Sequence, residues 1–217
     1  MDTEFNNEWF HHQFTNVGYV STEFTADQMA PILDEINEIQ SNFDDARRFN
    51  HGLAGNIEHE YGMAKSFEHI EQLMSPMAYN FIDHFGFETS QTLNTEGTPR
   101  VKMRSLWVNF QRKGEFNPHH IHHGALSFVI WVKVPYLMED EFALMPYIQN
   151  KERKPGHFTF TYTDALGRVM PCNFPVDKTW ENKAILFPAQ LPHLVYPFQS
   201  SDDYRISISG NFTIDYE

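Results

Sequence analysis

Arg205-Ile-Ser-Ile-Ser209 lies inside a run of strand character from Tyr204 to Ile214, and its reading decides the fold. Side chains alternate across a β-strand. Ile206 and Ile208 therefore face one way, while Arg205, Ser207 and Ser209 face the other. The isoleucines suit the underside of a covering helix. A cation and two hydroxyls on the opposite face mean either an interior built for a polar ligand or a solvent-facing edge. The pattern alone leaves both readings open.

Upstream of this strand, runs at Val101–Phe110, Leu126–Val134, Phe158–Tyr162, Ala184–Phe187 and Leu194–Phe198 are short and rich in β-branched and aromatic residues. They are bounded by Gly, Pro, Asn and Asp, as strands are. They begin after Gly86 and a Thr-, Ser- and Asn-rich loop from Glu88 to Pro99. Before Gly86 the period is helical. Thr25 with Gln28 forms a capping box, and behind it Met29, Ile32, Leu33, Ile36, Ile39 and Phe43 recur at helical spacing, with Pro31 in the early turns. A second helix is expected from about Tyr61 to Phe85, with Phe67, Ile70, Met74, Met77, Phe81 and Phe85 on one face and Pro76 kinking or dividing it. Helices first and strands after indicate an α+β, mainly β protein, with helices packed outside a jelly-roll-like sandwich. The 217 residues are expected to form one domain, 1–99 a mostly helical flank and 100–217 the β core.

With 16 Lys plus Arg against 29 Asp plus Glu, the formal net charge is -13. Such a surface repels phosphate backbones and anionic lipid headgroups, so neither nucleic acid nor membrane is an expected partner. The one basic cluster, Lys151-Glu-Arg-Lys154, is interrupted by an acid and reads as a solvated loop. The lone Cys172 allows no intrachain disulfide. The start, Met1-Asp-Thr-Glu, lacks the basic and apolar regions of a signal peptide, and no apolar run reaches the ~18 residues of a spanning helix. A soluble, cytoplasmic protein is the expectation.

The densest chemical signal is Asn117-Pro-His-His-Ile-His-His-Gly124. On a strand, His120 and His122 project to one side and His119 and Ile121 to the other. Imidazole is a favoured ligand of Fe, Zn, Cu and Ni, so this pair can grip one ion if a third ligand arrives from a distant strand. His193, after a Pro-bounded turn, is the candidate. Arg205 follows it along the chain. A metal near His193 and a guanidinium one strand away would hold both ends of a small dicarboxylate, the metal by chelation and the arginine by paired hydrogen bonds.

Trp107-Val-Asn109, Phe116-Asn-Pro, His120-Ile-His122, Gly124-x-Leu-Ser-Phe-Val-Ile130, Phe187-Pro, His193-x-Val-Tyr-Pro197 and Arg205-Ile-Ser-Ile-Ser-Gly-Asn-Phe212 together resemble the 2-oxoglutarate:Fe(II) oxygenases of the marine-phage type. The resemblance covers about Val101 to Ile214. It implies a double-stranded β-helix core of the jelly-roll or cupin kind, Fe(II) as metal and 2-oxoglutarate as co-substrate. His120 and His193 would be iron ligands, and Arg205 would bind the distal carboxylate with Ser207 assisting. Asn109 would donate into the cavity. Trp131 stands where relatives commonly carry a Tyr, so a hydroxyl contact to the co-substrate is absent from that position.

One departure matters. Such enzymes usually pair a His-x-Asp or His-x-Glu with a distal His, and here the position two after His120 is His122. Either His122 completes a three-histidine site, the reading favoured here, or water or an acid such as Glu115 does. The resemblance implies hydroxylation of a substrate with release of succinate and CO2. A cupin-type dioxygenase with three histidines and no co-substrate is the alternative enzyme. A non-catalytic jelly-roll binding protein is the alternative without chemistry. The substrate, a small molecule or a peptidyl residue, and the oligomeric state are not legible, although a long rim from Met138 to Gly156 is placed to choose the former.

Overall fold

The computed structural model describes residues 16–85, 97–148 and 153–216. The acidic start, most of the Glu88–Pro99 loop, and parts of the basic cluster and of the Met138–Gly156 rim lie outside the described residues.

Two antiparallel sheets form the core. The larger combines β1 (Val20–Glu23), β2 (His59–Gly62), β3 (Pro99–Gln111), β5 (Leu126–Lys133), β8 (Lys183–Pro188) and β10 (Arg205–Tyr216) in the order β1-β8-β5-β10-β3-β2. The smaller combines β4 (Asn117–His120), β6 (Phe158–Thr163), β7 (Val169–Phe174) and β9 (His193–Val195) in the order β4-β9-β6-β7. This is the double-stranded β-helix expected from the sequence. The strand carrying Arg205 lies between β3 and β5 at the centre of the larger sheet. That excludes the solvent-facing edge and leaves the lined interior.

Alternation sorts the side chains into two layers. On the outer face, Val108, Phe110, Ile130, Leu186, Ile206 and Ile208 share one buried cluster with residues of the two long helices. Those are Met29, Ile32 and Ile36 of α1 (Ala26–Ser41) and Ile70, Met74 and Phe81 of α2 (Phe67–Phe85). On the inner face, Val129, Trp131, Ile185 and Phe187 meet Phe158, Phe160 and Phe174 of the smaller sheet in a second cluster. Gly210 lets the central strand approach its neighbours, since a Cβ there would lie 2.6 Å from the Phe128 ring and 2.7 Å from the Ser105 carbonyl.

The Thr25 capping box forms as expected, with Gln28 reaching back to the Thr25 amide at 2.9 Å. The start of the second helix is corrected from Tyr61 to Phe67. Tyr61 instead pairs with Val108 in β2, and its ring stacks on Phe43 at 5.2 Å. The turn into α2 is held from α1, where the buried Glu35 carboxylate accepts from the amides of Ala64, Lys65 and Ser66 at 2.8, 2.9 and 2.7 Å. Pro76 is carried inside α2 without dividing it. The run expected at Leu194–Phe198 is a strand only from His193 to Val195, ending two residues before Pro197.

Four short elements carry no sequence pattern: β1, β4, β7 and α3 (Met138–Ala143). The last lies in the rim, and its fully buried Glu141 holds the amides of Gln199 and Ser200 at 2.7–3.0 Å, bracing the approach to Arg205. Among the described residues no helix is long and apolar enough to cross a membrane.

Candidate metal centre

β4 and β9 run antiparallel with His120 opposite His193. His122 lies just beyond β4, where its amide donates to the Ala189 carbonyl at 2.8 Å. One ring nitrogen from each of His120, His122 and His193 falls within 4.8 Å of the others. The Nε2 atoms of His122 and His193 are 3.2 Å apart.

The surroundings fix how these rings point. His120 Nδ1 meets the Pro118 carbonyl at 2.7 Å and His193 Nδ1 meets the Leu191 carbonyl at 2.8 Å. A carbonyl accepts only a proton, so each Nδ1 carries the hydrogen and each Nε2 keeps its lone pair. Burial, then the neighbouring imidazoles, depresses all three basicities. His122 is pushed down to about 3, and His193 lies well below the usual histidine range. The Nε2 lone pairs of His120 and His193 are thus turned toward one point, and His122 Nε2 reaches the same point whether it donates to His193 or shares a cation with it. Two cis ligands at a metal–nitrogen distance of ~2.1 Å would stand ~3 Å apart, close to the His122–His193 separation. The donor set fits a first-row transition ion.

All seven residues singled out in the sequence line the same cavity: His120, His122, His193, Arg205, Ser207, Asn109 and Trp131. The strand register explains the arrangement. Glu60, Asn109, Ser207 and Trp131 form one row across β2, β3, β10 and β5, and Gln111 pairs with Arg205 one step along. All point into the space between the sheets. Glu115 is instead committed to the amides of Glu58 and Arg112, at 3.0 and 2.7 Å, and takes no part in the nitrogen cluster.

Arg205 is 3% exposed. Its guanidinium donates to Gln111 Oε1, the Tyr136 hydroxyl at 2.7 Å, the Gly156 carbonyl at 2.8 Å and the Tyr196 carbonyl at 3.4 Å. Every one of these acceptors is neutral. The cation is held firmly, and nothing among these partners balances its charge, which is the electrostatic condition for binding an anion. Gln111 Oε1 accepts from both Nε and Nη2, occupying an edge that a carboxylate would use.

Sequence reasoning missed Gln111, Tyr136, Glu60 and Asn117. Tyr136 and Gln111 reach Arg205 across 69 and 94 positions of chain, a distance no local pattern spans. Glu60, 1% exposed, stands just before the helix expected from about Tyr61 and falls in no element read from the sequence. Burial and then the Glu115 charge raise its carboxyl to about 7. Its Oε1 has no hydrogen-bond partner, nor do the side-chain oxygens of Asn109 and Asn117.

A family model described as "Putative 2OG-Fe(II) oxygenase" matches residues 105–211. Among solved structures, a Pseudomonas putida prolyl-4-hydroxylase is similar at a TM-score of 0.54 and 14% identity, over 90% of this chain and 92% of that one. The α-ketoglutarate-dependent epimerase SnoN of nogalamycin biosynthesis is similar at 0.55 and 16%, over 92% and 79%. A 2OG-Fe(II) oxygenase family oxidoreductase from Burkholderia pseudomallei is similar at 0.52 and 16%, over 91% and 84%. At these identities the likeness is one of fold. Among curated protein sequences, none matches the chain.

Proposed function

We propose that this chain, whose residues 105–211 match the 2OG-Fe(II) oxygenase family model, hydroxylates a small molecule or a peptidyl residue with conversion of 2-oxoglutarate to succinate and CO2. The single observation that carries this reading is the union, in one cavity, of a three-imidazole cluster and a buried guanidinium whose partners are all neutral.

His120, His122 and His193 would hold Fe(II) through their Nε2 atoms, oriented for His120 and His193 by the carbonyls of Pro118 and Leu191. The bound iron supplies the oxidation itself, with dioxygen and 2-oxoglutarate as its reactants. Arg205 would take the distal carboxylate, with the Tyr136 hydroxyl fixing one end of the guanidinium. Ser207 and Asn109, neighbours at 3.4 Å, would contact the co-substrate chain, and Trp131 would close its side of the cavity. Phe158, stacked on His193 at 5.5 Å, and Trp107, tilted against His122 at 5.5 Å, would keep water from the metal. The first hundred residues belong to the same catalytic unit in this reading, since Leu53, Ala54, Ile57 and Glu60 line the cavity. The lone thiol of Cys172 and the acidic surface suit a reducing, cytoplasmic setting without nucleic-acid or membrane partners.

Anaerobic titration with Fe(II) and 2-oxoglutarate tests the assignment. A weak visible charge-transfer band should appear with the wild-type chain and vanish in His193→Ala. The three-imidazole donor set is the one feature that favours a dioxygenase needing no co-substrate. Oxygen uptake without 2-oxoglutarate would decide for that alternative.

A further inference from the structure

The cavity has a second polar end that the metal and Arg205 do not explain. Glu60 and Asn109 are 1% and 5% exposed, stand opposite each other in β2 and β3, and line the cavity. Glu60 Oε1, Asn109 Oδ1 and Asn117 Oδ1 are buried without a hydrogen-bond partner. The other Glu60 oxygen is already engaged by Asn50 Nδ2 at 3.1 Å. Gly55 brings two of the open oxygens together, because a Cβ there would sit 2.1 Å from Asn117 Oδ1 and 3.1 Å from Glu60 Oε1. Buried oxygens left unpaired in this way are costly, so a ligand that donates to all of them is what the site lacks.

We propose that Glu60, Asn109 and Asn117 form the substrate subsite of the oxygenase inferred above, and that the substrate presents a cationic amine to it. The match is one of counting. The amide oxygens and an ionised carboxylate only accept, while an ammonium carries three donors and no acceptor. A hydroxyl would satisfy one oxygen and leave the others unpaired. Leu53, Ala54 and Ile57 form the adjoining cavity wall and suit an alkyl stem behind the charged head. Arg205, the buried cation on the cavity wall, is turned to Gln111, Tyr136, Gly156 and Tyr196 and donates to none of these open oxygens. The net charge of -13 draws cations toward the molecule. The raised carboxyl of Glu60 agrees with a site completed by a positive charge.

The test compares n-pentylamine with n-pentanol, and a blocked lysine tripeptide with its norleucine counterpart, by calorimetry on both metal-free and Fe(II)/2-oxoglutarate-loaded protein under nitrogen. The amine should bind at least tenfold more tightly than the alcohol. The tripeptide pair distinguishes a peptidyl from a free amine source. Glu60→Gln should remove that selectivity while the charge-transfer band of the loaded protein persists. Gly55→Ala, which keeps every charge but displaces the Asn117 amide, should weaken the amine by a similar factor and serves if Glu60→Gln does not fold. Equal binding of amine and alcohol, or unchanged amine binding in both variants, would overturn the subsite. Absence of the band with amine selectivity intact would overturn the oxygenase reading alone.

Discussion

Gln111 Oε1 accepts two hydrogen bonds from Arg205, 3.1 Å from Nε and 2.5 Å from Nη2, so a neutral amide occupies one edge of a buried cation. A carboxylate ligand must share or displace this contact. Gln111→Glu would place a fixed carboxylate there and neutralise the guanidinium from within. The concentration of 2-oxoglutarate needed for half-maximal succinate formation should rise at least tenfold. Gln111→Ala, which frees the edge, should raise it far less. Equal effects of the two variants would mean that Arg205 is not the carboxylate anchor.

The role of His122 is separable from that of its neighbours. His120→Ala and His193→Ala should each abolish iron retention and the charge-transfer band. His122→Ala should do the same if three imidazoles hold the metal, and His122→Asp should restore a band at shifted energy by returning a carboxylate to that position. Full iron content in His122→Ala, measured after desalting, would assign the third place to water or another group.

Glu60 predicts an unusual stability profile for the ligand-free protein. Its carboxyl is raised in the fold to about 7, above the unfolded value of 4.5. The native state therefore binds the proton more tightly than the unfolded state, and its contribution to stability is lost as pH climbs from 4.5 through 7. Above that window Glu60→Gln should be more stable than wild type, by up to about 3 kcal/mol, and the gain should disappear near pH 4. Urea unfolding at pH 4 and pH 8 measures it. A constant difference across that range would show that this carboxyl does not titrate as its burial requires.

Glu35 behaves in the opposite way. Burial alone would raise its carboxyl, yet the hydrogen bonds from Lys65, Ser66 and Ala64 hold it below the usual value. Its contribution is present above the unfolded pKa and is lost as pH falls through the depressed one. Glu35→Ala strands buried amides at the entry to α2 and should cost about 3 kcal/mol at neutral pH, with a smaller cost in acid. Denaturant midpoints for both proteins at two pH values check the sign.

Much of the molecule was legible in the linear chain wherever one physical rule acted over a few residues. The Thr25–Gln28 cap, the stripe of α1 and the alternation of Arg205 to Ser209 are such cases, each a neighbour-to-neighbour constraint. The start of α2 was misread because Tyr61 fits a helical stripe as well as a strand. Its pairing with Val108, 47 positions on, is what chose between them. β1 and β4, four residues each, are too short to show any period.

By itself the sequence determined that Arg205, Ser207 and Ser209 share a face, because strand parity is a property of the backbone. His122, in contrast, lies beyond the end of β4 and joins His120 through the turn that follows it. Only the folded structure decided that these residues meet around a single cavity, because β4 and β9 pair across 73 residues of chain. It alone decided the partners of Arg205 and the unpaired oxygen of Glu60 as well. Hydrogen bonding and desolvation depend on what surrounds an atom in space, and chain order carries no record of that.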